Sequence, residues 1–250
     1  MNLDGFFHRH PQAALAFSGG ADSSYLLYAA LQRGADVRPY FVKSPFQPAF
    51  ELEDARRLAE QLEVELTVLP VDILAVPEVA ANPPERCYHC KRAIFSAIAS
   101  AAAGDGYSLL LDGTNASDAE GDRPGMRALR ELEVRSPLRE CGLTKEEIRR
   151  LSREAGLFTW DKPAYACLAT RVPAGEPITA EALARTEWAE GFLSSLGFTD
   201  FRVRLLGGCA RVQVAAGQLP LALERRGEII SELKRHYGGV LLDLEARDES

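Results

Sequence analysis

Residues 13–17 read AALAF, a short apolar run that stops at Ser18-Gly19-Gly20-Ala21-Asp22-Ser23-Ser24 before an apolar-periodic stretch through Leu31. That succession predicts a buried strand, a glycine turn and a helix. The pattern then repeats. VRPYFVK (37–43) predicts a strand, FELEDARRLAEQL (50–62) an amphipathic helix and VELTVL (64–69) another strand. Residues 88–103 are alanine-rich and helix-prone, and YSLLLDG (107–113) predicts a buried strand ending in a turn. Strands alternating with helices imply an α/β fold: a parallel twisted sheet with helices on both faces.

Thr144 with Glu147 spells a capping box, Ile148, Leu151 and Ala155 share one face of the helix it opens, and Gly156 stops it. Residues 156–178 hold three prolines and two glycines; a loop longer than about 12–15 residues is more often functional than idle. From Thr179 the character changes. A helix carries Leu183, Trp188, Phe192 and Leu196 at helical spacing. Val203, Leu205, Val212 and Val214 then alternate with polar residues around Gly207-Gly208, a hairpin signature. A helix over 220–236 and a last strand, GVLLDL, complete a small α+β unit. The expected domains are 1–175 and 176–250, the second a small C-terminal α+β domain for substrate binding or oligomerisation.

Composition narrows the partners. Of 250 residues, 46% are apolar, enough for a packed core, and the net charge of −7 disfavours a long nucleic-acid footprint. No apolar run approaches the roughly 18 residues of a membrane span, and MNLDGFFHRHPQ lacks the pattern of a signal peptide. Five cysteines are too few for a disulfide scaffold, which points to a reducing, cytoplasmic setting where Cys-x-x-Cys means metal or redox work.

The glycine turn carries the strongest chemistry. Gly19 and Gly20 allow close backbone approach, the following helix offers free N–H groups at its positive end, and Ser18, Ser23 and Ser24 add hydroxyls: a phosphate site. Asp22 is placed to cap the helix or to hold a magnesium ion. The loop is neither a Walker A nor a G-x-G-x-x-G fingerprint, and no G-x-S-x-G elbow supports a serine hydrolase. SGGxDS between a strand and a helix resembles the PP-loop ATP pyrophosphatases, which implies ATP split between its α and β phosphates, with Mg2+. LDGTNASDAEGDRPG puts Gly113, Thr114 and Asn115 at a strand's C-terminal edge, where ligands of open α/β sheets sit. Ser44 lies on the same rim, facing the adenine, and Arg123 is placed to meet ATP or its adenylate.

In NPPERCYHCK, Cys87 and Cys90 have the spacing that lets two thiolates reach one metal. Cys141 and Cys209 read as structural. Cys167 lies in the long loop between Pro163 and Arg171, where a nearby cation favours thiolate. A metal held by the three cysteines, zinc with His89 as fourth ligand, and a Cys87–Cys90 disulfide or persulfide relay all remain open at this level.

Together AFSGGADSSYLL, NPPERCYHCKRAIF, LDGTNASDAEGDRPGMRAL, VRSPL, WDKPAYACLATRVPAGEPIT and LGFTDFRVRLLGGCARVQV resemble the LarE family, ATP-dependent sulfur transferases of nickel-pincer nucleotide synthesis for lactate racemase. The resemblance runs over nearly the whole chain in order. It implies that Cys167 bears the sulfur, given up either sacrificially, leaving dehydroalanine, or from a [4Fe-4S] cluster held by Cys87, Cys90 and Cys167 with one open iron. It further implies pyridinium-3,5-biscarboxylic acid mononucleotide as substrate, with Asp22 and Arg171 joining Cys167 in catalysis. The substrate phosphate is expected at Arg202, Arg204 and Arg211. A sulfur-donor protein and a homo-hexamer complete the implied partners. Gln213 departs from the family, which usually has a glutamate in that strand, and so leaves a divalent ion in the small domain open. The rival enzyme reading is a tRNA 2-thiolation enzyme, and the non-enzymatic one a nucleotide-binding or metal-storage module.

Overall fold

A computed structural model describes residues 2–118 and 124–247. The chain divides into two compact units: residues 1–79 with 85–162, and 80–84 with 163–250. The expected boundary near 175 differs from this division, in which the whole loop 163–178 belongs to the second unit.

The first unit opens with α1 (Leu3–Arg9) and β1 (Gln12–Ala16). Then come α2 (Ala21–Leu31), β2 (Asp36–Lys43), α3 (Ala49–Gln61), β3 (Thr67–Pro70), the short α4 (Pro77–Ala80), α5 (Arg86–Gly104) and β4 (Leu110–Leu111). Helices α6 (Pro124–Glu131), α7 (Pro137–Glu140) and α8 (Lys145–Glu154) follow. The four strands pair in parallel in the order β3-β2-β1-β4. Side chains alternate across a strand, so β1 feeds two cores. Ala13 and Leu15 pack with Phe6, Leu26, Leu58 and Ile148 on one face, and Ala14 packs with Tyr40, Phe95, Ile98 and Leu129 on the other. Burial on both faces is why AALAF is apolar without a break. With β2 on one side of β1 and β4 on the other, the order in which strands are added reverses at β1, the point where open α/β sheets bind ligands, beside the loops after β1 and β4.

Two strands are shorter than the sequence suggests. Glu63 takes the left-handed conformation (φ 54°), and Val64 N–H closes back onto Ala59, so the chain turns at 62–63, runs irregularly through 64–66, and β3 starts at Thr67. β4 shrinks to Leu110–Leu111. Beyond it the pairing passes to Arg135, which donates to Leu110 and accepts from Asp112 at 2.9 Å each.

The second unit holds α9 (Ala180–Ser195), β5 (Phe201–Leu206), β6 (Cys209–Val214), α10 (Leu219–Glu224), α11 (Arg226–Leu233) and β7 (Val240–Leu242). β5 and β6 form an antiparallel hairpin whose turn residues Gly207 and Gly208 both have positive φ (54° and 79°), the geometry that two-residue hairpins favour and that glycine alone adopts cheaply. β7 joins β6 in parallel. The single helix expected over 220–236 is two, broken where Arg225 (ψ 6°) ends one and starts the other. α9 also buries a different stripe from the one expected: Leu183, Thr186, Ala189, Glu190 and Leu193. Segment 80–84 is stitched to the long loop by Asn82, whose amide donates to Pro173 (2.8 Å) and Glu176 (3.1 Å) and whose carbonyl accepts from Gly175 (2.8 Å). Among the described residues no helix is long and apolar enough to cross a membrane.

The capping box at the start of α8 is formed in full: Thr144 Oγ1 accepts from Glu147 N–H, and the Glu147 carboxylate accepts from Thr144 N–H at 2.8 Å. Those bonds hold the Glu147 carboxyl below the usual carboxylate range. Thr144→Ala is expected to cost about 1 kcal/mol in urea unfolding at neutral pH. A depressed folded-state value means the Glu147 contribution is present above the ordinary carboxylate range and is lost as pH falls through it. The difference between wild type and variant is therefore expected to narrow in acid.

Candidate active site

β1 ends at the glycine turn. Gly19 has φ 69°, and a Cβ there would lie 3.2 Å from the backbone nitrogen of Ala55 on α3, so α3 packs too close for any side chain. Gly20 is the N-cap of α2 and gives no side-chain capping bond, which leaves the leading N–H groups of the helix for an anion. The Ser18 and Ser23 hydroxyls lie 3.1 Å apart, and Ser18 Oγ accepts from Gly20 N–H at 3.3 Å. Ser24 is fully buried, and its hydroxyl has no partner among the described residues. The Asp22 carboxylate is divided: Oδ2 meets Lys145 Nζ at 2.6 Å, while Oδ1 is buried without a hydrogen bond.

The turn after β4 closes on this loop. A Cβ on Gly113 would stand 2.9 Å from Ser23 N and 3.2 Å from Ser23 Cα. Thr114 and Asn115 hold that approach rather than facing outward. Both the hydroxyl and the N–H of Thr114 donate to Asp112, which also accepts from Ser136 Oγ at 2.6 Å. Asn115, 2% exposed, accepts from Ser117 N–H through Oδ1 at 2.8 Å. The Ser44 hydroxyl is used likewise, donating to Gln47 Oε1 (2.7 Å) and accepting from Phe46 N–H (3.2 Å) to fold the turn after β2. Arg123 lies outside the described residues.

Two lysines that the sequence reading passed over belong here. Lys145, on α8, pairs with Asp22. Lys162 Nζ lies 3.3 Å from the Gly19 carbonyl and 2.6 Å from Asp54. Lys162 lies within the WDKPAYACLATR segment and Lys145 directly follows Thr144 of the capping box, but nothing in either setting marked the lysine itself.

Cys87 and Cys90 lie one turn apart on α5, which puts them on one face, Cys87 exposed and Cys90 partly so. Cys167 caps a short turn, Leu168–Arg171, in the second unit, and its carbonyl accepts from Thr170 N–H (3.0 Å) and Oγ1 (2.9 Å). Among the described residues no group of three His, Cys, Asp or Glu is placed to hold a metal ion; Cys87 and Cys90 belong to the first unit and Cys167 to the second. Burial pushes the Cys141 thiol up, and Cys209 packs against Gly239, where a Cβ would meet its sulfur at 2.9 Å.

In the second unit the expected phosphate arginines have protein partners. Arg171 is 1% exposed. It donates to both Glu190 oxygens (2.8 and 3.2 Å), to the Ala166 carbonyl (3.0 Å) and to Thr170 Oγ1 (2.7 Å). Burial opposes its charge, but the bonds and charge of Glu190 prevail and keep its pKa raised. Glu190 also accepts from Val203 N–H (3.0 Å) and Tyr165 Oη (2.6 Å). It is the buried carboxylate missed in the sequence, though a charge within the α9 apolar stripe marked it. Arg202 donates to the carbonyls of Phe201 (2.6 Å) and Ala164 (2.7 Å), and Arg204 to that of Thr170 (2.8 Å). Arg202 is pushed down to about 10 by burial, then by Arg171 and Arg247. Arg204 is lowered by burial, then by Arg171, Arg211 and Arg247. Arg204 stands opposite Arg211 in the hairpin, and Arg211 Nε approaches Asp243 at 3.6 Å. Gln213 donates to the Glu245 carbonyl at 3.3 Å.

Two expected outcomes follow from this geometry. Gly113→Val forces the β4 turn off Ser23; nucleotide binding measured calorimetrically is expected to fall at least tenfold, the equivalent of about 1.4 kcal/mol. Glu190→Gln strands the Arg171 charge and is expected to cost about 3–5 kcal/mol in denaturant unfolding. The double variant Glu190→Gln, Arg171→Met is expected to recover part of that loss.

A family model described as queuosine biosynthesis protein QueC matches residues 12–81, the stretch from β1 through α4. A Synechocystis protein described as uncharacterized is 36% identical over 98% of this chain and 92% of its own. The pyridinium-3,5-bisthiocarboxylic acid mononucleotide synthase of Lactiplantibacillus plantarum is 33% identical over 83% of this chain and 76% of its own. A tRNA-specific 2-thiouridylase of Clostridium botulinum is 26% identical over 60% of this chain and 51% of its own. With the glycine turn, the β4 turn and these relatives together, the chain belongs to the LarE family of ATP-using PP-loop sulfur transferases.

Proposed function

We propose that the protein adenylates the carboxylates of pyridinium-3,5-biscarboxylic acid mononucleotide with ATP and converts them to thiocarboxylates. The observation that carries this is the anion-ready turn at residues 18–24, with Gly113 pressed against Ser23, in a chain 33% identical to a synthase of the bisthiocarboxylic product. The N–H groups opening α2 and the hydroxyls of Ser18, Ser23 and Ser24 take the pyrophosphate oxygens. Lys162, beside Gly19, adds a positive charge. A magnesium ion, when bound, neutralises phosphate charge, and the buried, unpartnered Oδ1 of Asp22 fits as its ligand.

In the reaction a substrate carboxylate oxygen bonds to the α-phosphorus, and the bond to the bridging oxygen breaks, releasing pyrophosphate. A sulfur anion at Cys167 then bonds to the acyl carbon, and AMP departs with the oxygen it had activated. In the sacrificial form the Cys167 α-proton is removed and its Cβ–S bond breaks, leaving dehydroalanine and carrying the sulfur into the product. Arg171, tied to Ala166 and Thr170 on either side of Cys167, positions that thiol. Arg202, Arg204 and Arg211 remain the proposed partners of the substrate phosphate. The [4Fe-4S] form, with Cys87, Cys90 and Cys167 as ligands, rests on the Cys-x-x-Cys spacing and on the family. No step above runs through it. A cytoplasmic homo-hexamer served by a sulfur-donor protein belongs to the same reading.

The second reading, tRNA 2-thiolation, is favoured by the thiouridylase similarity and opposed by a net charge of −7.

Pyrophosphate release from ATP is expected to depend on the pyridinium dicarboxylate nucleotide and not on tRNA, and to disappear in the Ser18→Ala, Asp22→Ala double variant. Anaerobic purification, iron and acid-labile sulfide counts and intact-protein mass after one turnover separate the two sulfur routes. Unchanged mass with iron and sulfide bound is the cluster outcome. Loss of one hydrogen sulfide equivalent at Cys167 is the sacrificial one.

A further inference from the structure

Arg86 opens α5 and is 8% exposed, so its guanidinium has largely left bulk water. A cation in that position is costly unless an opposite charge meets it. It meets no carboxylate among the described residues, and Nη1 is buried with no hydrogen-bond partner. Nη2 lies 3.8 Å from Cys87 Sγ, and the guanidinium carbon is 5.9 Å from the Phe46 ring centroid. Neither neighbour supplies the paired oxygens of a carboxylate or phosphate, which the planar guanidinium fork binds two at a time. The setting adds to the imbalance. α5 is a 19-residue helix whose N-cap, Glu85, makes no side-chain capping bond, so the positive end of its dipole and its leading N–H groups fall at the same place. Nη2 lies next to Cys87, which is exposed, so this edge of the guanidinium is the one nearer the surface.

We propose that Arg86 and the first turn of α5 form an oxyanion subsite, separate from the glycine turn at 18–24, that takes a phosphoryl or carboxylate group. The sulfur-transferase reading supplies the choice of ligand class; the unpaired buried charge stands without it.

The test is thermal unfolding of the full chain as wild type, Arg86→Met, Arg86→Lys and the Ser18→Ala, Ser23→Ala double variant. Each is measured alone, with inorganic phosphate, and with pyridine-3,5-dicarboxylate. At least one additive is expected to raise the wild-type midpoint by about 2–4 °C, the shift that modest binding produces in a chain of this size. That rise is expected to vanish in Arg86→Met, persist in part in Arg86→Lys, and survive in the serine double variant. The additive that acts identifies the oxyanion. Without additive, Arg86→Met is expected to unfold at or above the wild-type temperature, because an unpaired buried charge has been removed. A rise unchanged by Arg86→Met, or no rise in wild type with either additive, overturns the subsite. Pyrophosphate release lost only in the serine variant, by contrast, bears on the glycine turn alone and leaves the two readings separable.

Discussion

The first unit depends on one backbone contact, the approach of Gly113 to Ser23. It brings the ends of two neighbouring parallel strands, β1 and β4, to within less than the room a methyl group needs. To hold Gly113 there, Asp112 gathers Thr114 and Ser136, and Asn115 folds its own turn. On the other side Gly19 lies nearly as close to Ala55 of α3, where a Cβ would stand 3.2 Å from the backbone nitrogen. The glycine turn is therefore clamped between a strand-end turn and a helix, and the absence of side chains at 19 and 113 is what lets the clamp close.

The first half of the sheet was legible because its signals are local: an unbroken apolar strand, a glycine turn, and a capping box written in Thr144 and Glu147. What escaped depends on distant partners. VELTVL and YSLLLDG carry strand propensity along their length, but pairing ends where Glu63 turns the chain and where Arg135 takes over the edge. The same limit applies to the site. Thr114, Asn115 and Ser44 have the chemistry of ligand contacts, and the structure adds that each also makes hydrogen bonds within the turn that contains it. Lys145 and Lys162 were passed over because their partners, Asp22, Asp54 and Gly19, are far off in sequence.

The second unit is organised by charge as much as by apolar packing. Glu190 takes the place of an apolar residue on the inner stripe of α9 and ties three pieces together: Arg171 and Tyr165 of the long loop, and the backbone of β5. A leucine there would pack well but would leave the loop that carries Cys167 without an anchor. Arg202 and Arg204 reinforce the same arrangement through the carbonyls of Ala164 and Thr170. That makes the expected stripe of Trp188, Phe192 and Leu196 a flank rather than a core, with Trp188 and Phe192 stacked on each other 6.2 Å apart.

The ion pair between Lys145 and Asp22 has a consequence for binding. Lys145 is the first residue of α8, directly after Thr144, so the capping box fixes the backbone from which it reaches Asp22. The ion pair holds one oxygen of Asp22 and leaves the second turned inward, a bias set before any nucleotide arrives. Rotamer freedom that a flexible aspartate would surrender on binding has been surrendered during folding. The buried oxygen of Asp22 is thus presented in the orientation that a helix start 123 residues downstream imposes on it.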